Sequence, residues 1–198
     1  MTERIREFLS KRTDEGPCLV VDLDVVHDNY NAFAKALPDT RVFYAVKANP
    51  APEVLALLAK LGSCFDTASV AEIEMALTAG ATPDRISYGN TIKKERDVAR
   101  AYALGVRLYA VDCKAEVEKV ARAAPGSRVF CRILSDCVGA EWPLSRKFGC
   151  EPAMAGSQPN LRDSGQSAPT QSERMRQKTR LAGAARATFS TSALQSTA

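Results

Sequence analysis

Lys47 is the strongest candidate for a chemically reactive residue in this sequence. It directly follows the apolar run VFYAV at residues 42–46, which is typical of a buried β-strand. We therefore expect the amine at the end of this strand to be partly shielded from water. Shielding lowers the pKa of an amine, and the neutral amine is the form that makes a Schiff base with a carbonyl group. The competing interpretation is a surface lysine that ends a strand.

Polar side chains also follow the other apolar runs of the chain. The residues at these positions are Lys47, Asn49, Asp66, Asn90, Asp112 and Arg132. In a barrel of parallel strands, the carboxyl ends of the strands surround one opening, and active sites are built there. Taken singly, each of these residues fits an ordinary loop. Taken together, they predict a site at the carboxyl edge of a sheet.

The elements that must position these side chains alternate between strand-like and helix-like segments. Short β-rich runs are predicted at residues 18–21, 41–46, 63–66, 85–88, 107–111 and 128–134. Helical spacing is found at residues 54–61, 70–77, 93–104 and 114–123. Ser69 and Glu72 have the spacing of a capping box, and Gly62, Gly80 and Gly105 are predicted to end helices.

This alternation predicts an α/β fold with a parallel sheet, since parallel strands are joined by crossover helices. Two architectures fit the pattern, a doubly wound open sheet and a (β/α)8 barrel. No glycine-rich loop follows the first strand, so a dinucleotide site is not indicated. The polar residues at successive strand ends favour the barrel.

Several motifs resemble those of the fold-type III basic amino acid decarboxylases, which depend on pyridoxal phosphate (PLP). FYAVKANP at residues 43–50 is similar to their cofactor-lysine motif, and FDTAS at residues 65–69 is similar to their second motif. The segments that resemble the ornithine decarboxylase branch are ISYGNTIKK at 86–94, RVFCRI at 128–133 and WPLSRKFG at 142–149. Diaminopimelate decarboxylases share the lysine motif but less of these later segments. The resemblance covers about residues 18–152.

The resemblance implies a (β/α)8 barrel of the alanine racemase and ornithine decarboxylase type, which binds PLP. Lys47 then forms the Schiff base with PLP, and Asp66, Asn90 and Arg132 line the cofactor pocket. Glu72 is interpreted as a helix-cap partner and not as a catalytic acid. The implied reaction is decarboxylation of L-ornithine to putrescine, a step of polyamine biosynthesis, and the family forms homodimers.

Several features of the family are absent from the sequence. The only histidine is His27, in a predicted N-terminal helix, so the histidine that stacks on the PLP ring is absent. The glycine-rich phosphate cradle, the Glu-Pro-Gly-Arg type segment and the Cys-Asp-Gly type motif are also absent. We therefore expect a barrel truncated to about five strands, with an open edge, and a chain with little decarboxylase activity. The alternative function is a non-catalytic fragment or regulator that pairs with a full-length decarboxylase.

The composition changes after Pro152. Residues 1–152 form the predicted barrel part, whereas residues 153–198, the tail, contain no Val or Ile and are rich in Ser, Thr, Gln, Ala and Arg. Such a segment buries little apolar surface, so a disordered or out-of-frame tail is predicted. Basic residues exceed acidic ones by four in the whole chain, and this excess lies entirely in the tail. The barrel part thus gives no electrostatic reason to expect nucleic acid as a partner.

The overall composition further indicates what class of protein this is. Apolar residues make up 45% and charged residues 25%, which is typical of a globular protein. No apolar run reaches the ~18 residues of a membrane span, and the N-terminus has no signal-peptide core. The six cysteines are scattered without a CxxC pair, so no metal site is expected. A reducing, cytoplasmic location fits this cysteine usage.

Overall fold

The computed structural model describes residues 1–134 and 148–152. The helices in these residues are α1 (Glu3–Lys11), α2 (Leu23–Ala36), α3 (Pro52–Lys60), α4 (Val70–Thr78), α5 (Glu95–Ala103) and α6 (Lys114–Ala123). The strands are β1 (Phe43–Ala45), β2 (Cys64–Thr67), β3 (Ile86–Tyr88), β4 (Leu108–Val111) and β5 (Arg128–Cys131). Short 3₁₀ turns occur at Val46–Ala48 and Pro83–Arg85. Residues 142–147 of the WPLSRKFG motif and the tail lie outside the described residues.

The five strands form one parallel sheet in the order β1-β2-β3-β4-β5. In a doubly wound sheet the strand order reverses at a switch point, whereas in a barrel each new strand is added on the same side of the previous one. The observed order has no reversal. The prediction of a barrel-type sheet with about five strands is therefore confirmed, and the doubly wound alternative is wrong.

The helix ends follow the predicted capping signals. Ser69 is the N-cap of α4, where its Oγ accepts a hydrogen bond from the backbone N–H of Glu72 at 3.2 Å. Glu72 Oε2 in turn accepts a hydrogen bond from the backbone N–H of Ala68 at 2.7 Å, so Glu72 is a cap partner as predicted. α3, α4 and α5 are each followed by a glycine with positive φ, at Gly62, Gly80 and Gly105. These are the predicted helix ends, because the left-handed conformation favours glycine.

The hydrophobic core lies between the helices and one face of the sheet. Side chains alternate between the two faces of a strand, so Phe65 of β2, Tyr88 of β3 and Tyr109 of β4 face the helices. These three residues are almost fully buried. The helices pack onto them with side chains that are at most 2% exposed, namely Leu55, Ile73, Val98 and Val120. The opposite face of the sheet carries Asp66 and Ser87 together with apolar residues such as Phe130.

The N-terminal residues differ from the prediction. No strand forms at residues 18–21, which lie in irregular chain between α1 and α2, and Leu19 is 85% exposed. A strand requires a hydrogen-bonded neighbour, and β1 pairs with β2 and not with this segment. α1 was not predicted, because its charged sequence has only a narrow apolar stripe. His27 lies in α2, as predicted.

The edge of the sheet at β5 is extended by a second segment. Ile133 forms a parallel bridge with Cys150, whose N–H donates a hydrogen bond to the Arg132 carbonyl at 2.9 Å. Leu134 N–H donates one to the Cys150 carbonyl at 2.9 Å. The chain just after β5 is therefore paired, whereas the sequence predicted an edge that remains open here.

Candidate functional site

Three adjacent strands place small or polar residues in one row on the face opposite the helices. In the observed register, Asp66 of β2 lies between Ala45 of β1 and Ser87 of β3. Gly89 lies two residues beyond Ser87 and next to the Asp66 carboxylate, and Lys47, in the turn after β1, is near enough for its charge to act on that carboxylate. The sequence thus brings a lysine and a carboxylate to the carboxyl edge of the sheet, as predicted.

Lys47 lies in the 3₁₀ turn Val46–Ala48, directly after β1. Its side chain is exposed, so the predicted shielding of this amine is wrong for the described residues. The reason is the position of β1 at the margin of the sheet, where all three of its residues are only half-buried. Val46 occupies the fully buried position of the turn, and the next residue points outward. The amine is therefore accessible to a carbonyl compound.

Asp66 is the most strongly perturbed carboxylate of this edge. Burial raises its pKa above the ordinary value of 3.8, and the negative charge of Glu72 acts in the same direction. A hydrogen bond from Ser87 Oγ to Asp66 Oδ1, at 2.7 Å, lowers it, as do the positive charges of Lys47 and Arg132. These interactions bring Lys47, Asp66 and Arg132 into one electrostatic cluster.

Arg132 follows β5 and has an exposed side chain. Its backbone is held on both sides, because its N–H donates to the Val111 carbonyl at 2.8 Å and its carbonyl accepts from Cys150. Neighbouring Asp112 accepts a hydrogen bond from the N–H of Gly149 at 3.2 Å. The backbone that carries the guanidinium is therefore fixed by hydrogen bonds, and the side chain itself is exposed.

Asn90 follows β3 at the same edge and is half-buried. Its backbone carbonyl accepts a hydrogen bond from Lys93 Nζ at 2.8 Å. Within residues 1–134 and 148–152, no hydrogen bond joins Asn90 to Lys47, Asp66 or Arg132. Asn49 has a local role, since its side chain accepts a hydrogen bond from the N–H of Ala51 at 3.1 Å before α3 begins.

Sequence reasoning missed three residues that support the edge. Ser87 and Gly89 contact the Asp66 carboxylate, and Lys93 is a buried lysine behind Asn90. Burial lowers the pKa of Lys93, and the nearby charge of Glu116 opposes this effect. The strand-like pattern of ISYGN could have indicated Ser87 and Gly89. Both occupy the face of the sheet on which Asp66 was expected.

The comparisons with known proteins identify the family. The profile of the pyridoxal-binding domain of pyridoxal-dependent decarboxylases matches residues 23–167. This match covers well over half of the chain. The chain belongs to the pyridoxal-dependent decarboxylases.

This chain is similar to curated relatives of which two are named as decarboxylases of basic amino acids and one as an antizyme inhibitor. It is 40% identical over 149 residues to a lysine/ornithine decarboxylase of Selenomonas ruminantium, covering 75% of this chain and 38% of that protein. It is 41% identical over 140 residues to a chloroplastic ornithine decarboxylase of Nicotiana glauca, covering 70% and 32%. It is also 38% identical over 149 residues to antizyme inhibitor 2 of Xenopus laevis, covering 75% and 33%. The chain thus spans about a third of the length of these relatives.

Solved structures of decarboxylases have the same fold. Lysine decarboxylase from Selenomonas ruminantium superposes with a TM-score of 0.67 at 40% identity, over 76% of this chain and 39% of that one. SrLDC in complex with PLP and cadaverine gives a TM-score of 0.63 at 39% identity, over 73% and 38%. A lysine/ornithine decarboxylase from Vibrio vulnificus with putrescine gives 0.65 at 30% identity, over 77% and 39%.

The side chains of the site fit the PLP on which this family of decarboxylases depends. An accessible lysine amine can attach an aldehyde, and Arg132 offers a guanidinium for an anionic group. The partly buried carboxylate of Asp66 places a negative charge near both of these positive charges. The part of the chain that the structure describes contains no cluster of metal-ligating side chains. It also contains no helix that is long and apolar enough to cross a membrane.

Proposed function

We propose that this chain contributes the cofactor-binding part of a decarboxylase that converts L-ornithine to putrescine, with Lys47 as the lysine that binds PLP. The observation that carries the proposal is the convergence of an exposed amine, a partly buried carboxylate and a guanidinium at one edge of the sheet. The similarity to basic amino acid decarboxylases supports it.

Each residue of the edge has a separate role in this proposal. Lys47 supplies the amine that holds the cofactor aldehyde. Asp66 keeps a negative charge beside the Lys47 ammonium, and Arg132 places a positive charge where an anionic group of cofactor or substrate binds. Asn90 lines the same opening with its amide. When bound, PLP supplies the electron sink that accepts the electron pair left by the departing carbon dioxide.

Chemical labelling tests the assignment of Lys47. The purified chain is mixed with PLP, reduced with sodium borohydride to fix the cofactor to the amines that hold it, and mapped by peptide mass spectrometry. We expect weak binding, with label on Lys47 and also on exposed lysines such as Lys35 and Lys60. The label on Lys47 should change in Asp66→Asn while the labels on Lys35 and Lys60 do not, because Lys47, unlike the other two, is among the charges that act on Asp66. Unlabelled Lys47, or equal changes at all three lysines, would overturn the assignment.

Substrate protection tests the choice of ornithine. L-Ornithine, L-lysine and L-arginine are each added before reduction, and the label on Lys47 is compared. We expect ornithine to protect Lys47 most, while the label on Lys60 does not respond selectively to any of the three. Stronger protection by lysine or arginine would contradict the proposed substrate and leave the role of Lys47 intact.

Carbon dioxide release tests the activity of the 198-residue chain itself. We expect little release from L-ornithine, because the sequence has no histidine to stack on the PLP ring and no glycine-rich phosphate cradle. A turnover of about one per second or more, which is usual for enzymes, would contradict this expectation. Exclusive labelling of Lys47 at micromolar PLP would contradict it as well.

A second candidate function is a non-catalytic partner of a full-length decarboxylase. Similarity to an antizyme inhibitor favours it, as this relative is not named as an enzyme. The proposal predicts that the tagged chain co-purifies with a full-length decarboxylase relative and changes its rate of carbon dioxide release. If mixing changes neither the size of the enzyme in solution nor its rate, this candidate is eliminated.

A further inference from the structure

Asp66 and Ser87 form a direct cross-strand pair in the parallel register of β2 and β3. Ser87 is buried, and its Oγ donates a hydrogen bond to Asp66 Oδ1 at 2.7 Å. A hydroxyl group that donates to a carboxylate stabilises the ionised form of the acid. This contact comes from β3, the middle strand of the sheet.

Gly89, two residues after Ser87 in the chain, lies next to the same oxygen, Asp66 Oδ1. A Cβ atom added at Gly89 would lie 2.0 Å from Asp66 Oδ1 and 2.6 Å from its Cγ. The φ angle of Gly89 is not in the left-handed region, so its backbone tolerates other residues. The requirement for glycine at this position is therefore set by the carboxylate of Asp66 and not by backbone conformation.

Two hydrogen bonds, one between backbone groups and one from a side chain, hold Ser87 and Gly89 against β2. The N–H of Gly89 donates a hydrogen bond to the Thr67 carbonyl at 2.7 Å. Thr67 Oγ1, which is buried, donates one to the Ser87 carbonyl at 2.7 Å. With the backbone fixed in this way, neither residue can move aside to accommodate a different position of the carboxylate.

We propose that Ser87 and Gly89 are the positioning residues of Asp66, Ser87 by holding Oδ1 and Gly89 by leaving the space in which the carboxylate lies. This inference deepens the proposed function, on which it rests only for the role of Asp66 in the cofactor site. Ser87 and Gly89 are predicted to touch neither cofactor nor substrate. They act by fixing the direction in which Asp66 presents its negative charge.

The charges around Asp66 define what the positioning achieves. Lys47 in the turn after β1 and Arg132 after β5 face it with positive charge, and Glu72 of α4 faces it with negative charge. The hydrogen bond at Oδ1 and the two positive charges favour the ionised form of this carboxylate, whereas burial and the charge of Glu72 favour its protonated form. If the carboxylate were released, it could turn toward solvent and no longer act as the counter-charge of Lys47.

The titration of Asp66 tests the role of Ser87 without any cofactor. Carboxyl carbons are followed by ¹³C NMR from neutral to acidic pH, and the Asp66 signal is assigned by its loss in Asp66→Asn. We expect the midpoint to rise in Ser87→Ala, because the ionised form loses its hydrogen bond, and to return toward the original value in Ser87→Thr. Ser63→Ala is the matched control, since Ser63 is a buried serine whose Oγ donates only to backbone carbonyls.

Gly89→Ala tests the space that glycine leaves. The added methyl group should displace the carboxylate and change both the shift and the midpoint of the Asp66 signal. In this background, Ser87→Ala should have no further effect, because the hydrogen bond is already broken. Gly16→Ala is the control, since no atom lies within 4 Å of a Cβ placed at Gly16. Circular dichroism checks that each variant is folded.

Two outcomes would overturn the inference. One is an unchanged Asp66 midpoint in Ser87→Ala, and the other is additive effects of the two substitutions. Failure of the proposed function is detected separately, as absence of the pyridoxyl label on Lys47. That result would leave the titration of Asp66 unaffected.

Discussion

The ammonium group of Lys93 lies 3.4 Å from Glu116 Oε2, and the side chains are 0% and 6% exposed, so the two charges form a buried ion pair. Lys93 Nζ also donates hydrogen bonds to the carbonyls of Asn90 and Ala110, at 2.8 and 2.5 Å. Lys119 pairs with the other oxygen of Glu116. This network ties the loop that carries Asn90 to β4 and α6. Lys93 is therefore a structural support of the site edge.

We predict that Lys93→Met strongly destabilises the protein. The substitution leaves Glu116 with Lys119 as its remaining partner and takes the ammonium donor from the carbonyls of Asn90 and Ala110; removing one partner of a buried ion pair costs about 3–5 kcal/mol. Urea unfolding measures the loss. Arg100→Met is the control, because the Arg100–Glu74 pair is about half-exposed and such pairs contribute about 0–1 kcal/mol. Equal effects of the two substitutions would show that the Lys93 network does not stabilise the fold.

A second prediction concerns the N-cap of α4. Ser69→Ala removes the acceptor for the N–H of Glu72 and should lower the free energy of unfolding by about 1 kcal/mol. Ser69→Thr keeps an acceptor oxygen and should cost less. Because Glu72 also faces Asp66, Ser69→Ala additionally tests whether the cap holds this charge near the site. No change in stability would contradict the assigned cap.

A third prediction compares two glycines that end helices. Gly80 and Gly105 have similar φ angles of 98° and 94°, but only at Gly105 does an added Cβ meet a neighbour, the Cβ of Pro83 at 2.9 Å. Gly80→Ala should cost about 1–2 kcal/mol, which is the usual penalty of a left-handed alanine. Gly105→Ala should cost more, because the proline ring must also shift. Unfolding by urea gives both values, and equal losses would show that the contact with Pro83 relaxes freely.

The sequence predicted the elements between residues 41 and 131 because each is specified locally. Ser69 and Gly105 mark helix ends through short-range rules of capping and backbone conformation. The exposure of Lys47 could not be predicted in this way, because it depends on which strand lies at the margin of the sheet. The contact between Gly89 and Asp66 was also hidden, since it requires the register of two strands that are distant in the sequence.

The last prediction concerns the pH dependence of stability that Asp66 causes. Burial raises the pKa of Asp66 in the folded protein above its value of 3.8 in the unfolded chain. Below 3.8 the group is protonated in both states and carries no penalty. As the pH rises through the raised pKa, the folded protein must ionise a partly buried carboxylate, and stability is lost.

Asp66→Asn removes this penalty, so the variant should be more stable than the original chain at neutral pH. The difference should shrink as the pH falls toward 3.8, and urea unfolding between pH 4 and 7 measures it. Asp84→Asn is the control, because we expect it to change the stability in the opposite direction. A hydrogen bond from Thr82 lowers the pKa of Asp84, so its ionised form stabilises the folded state above 3.8 and its removal should reduce stability there. A gain in stability from Asp66→Asn that does not vary with pH would contradict a raised pKa, because only the ionisation of Asp66 makes the difference depend on pH.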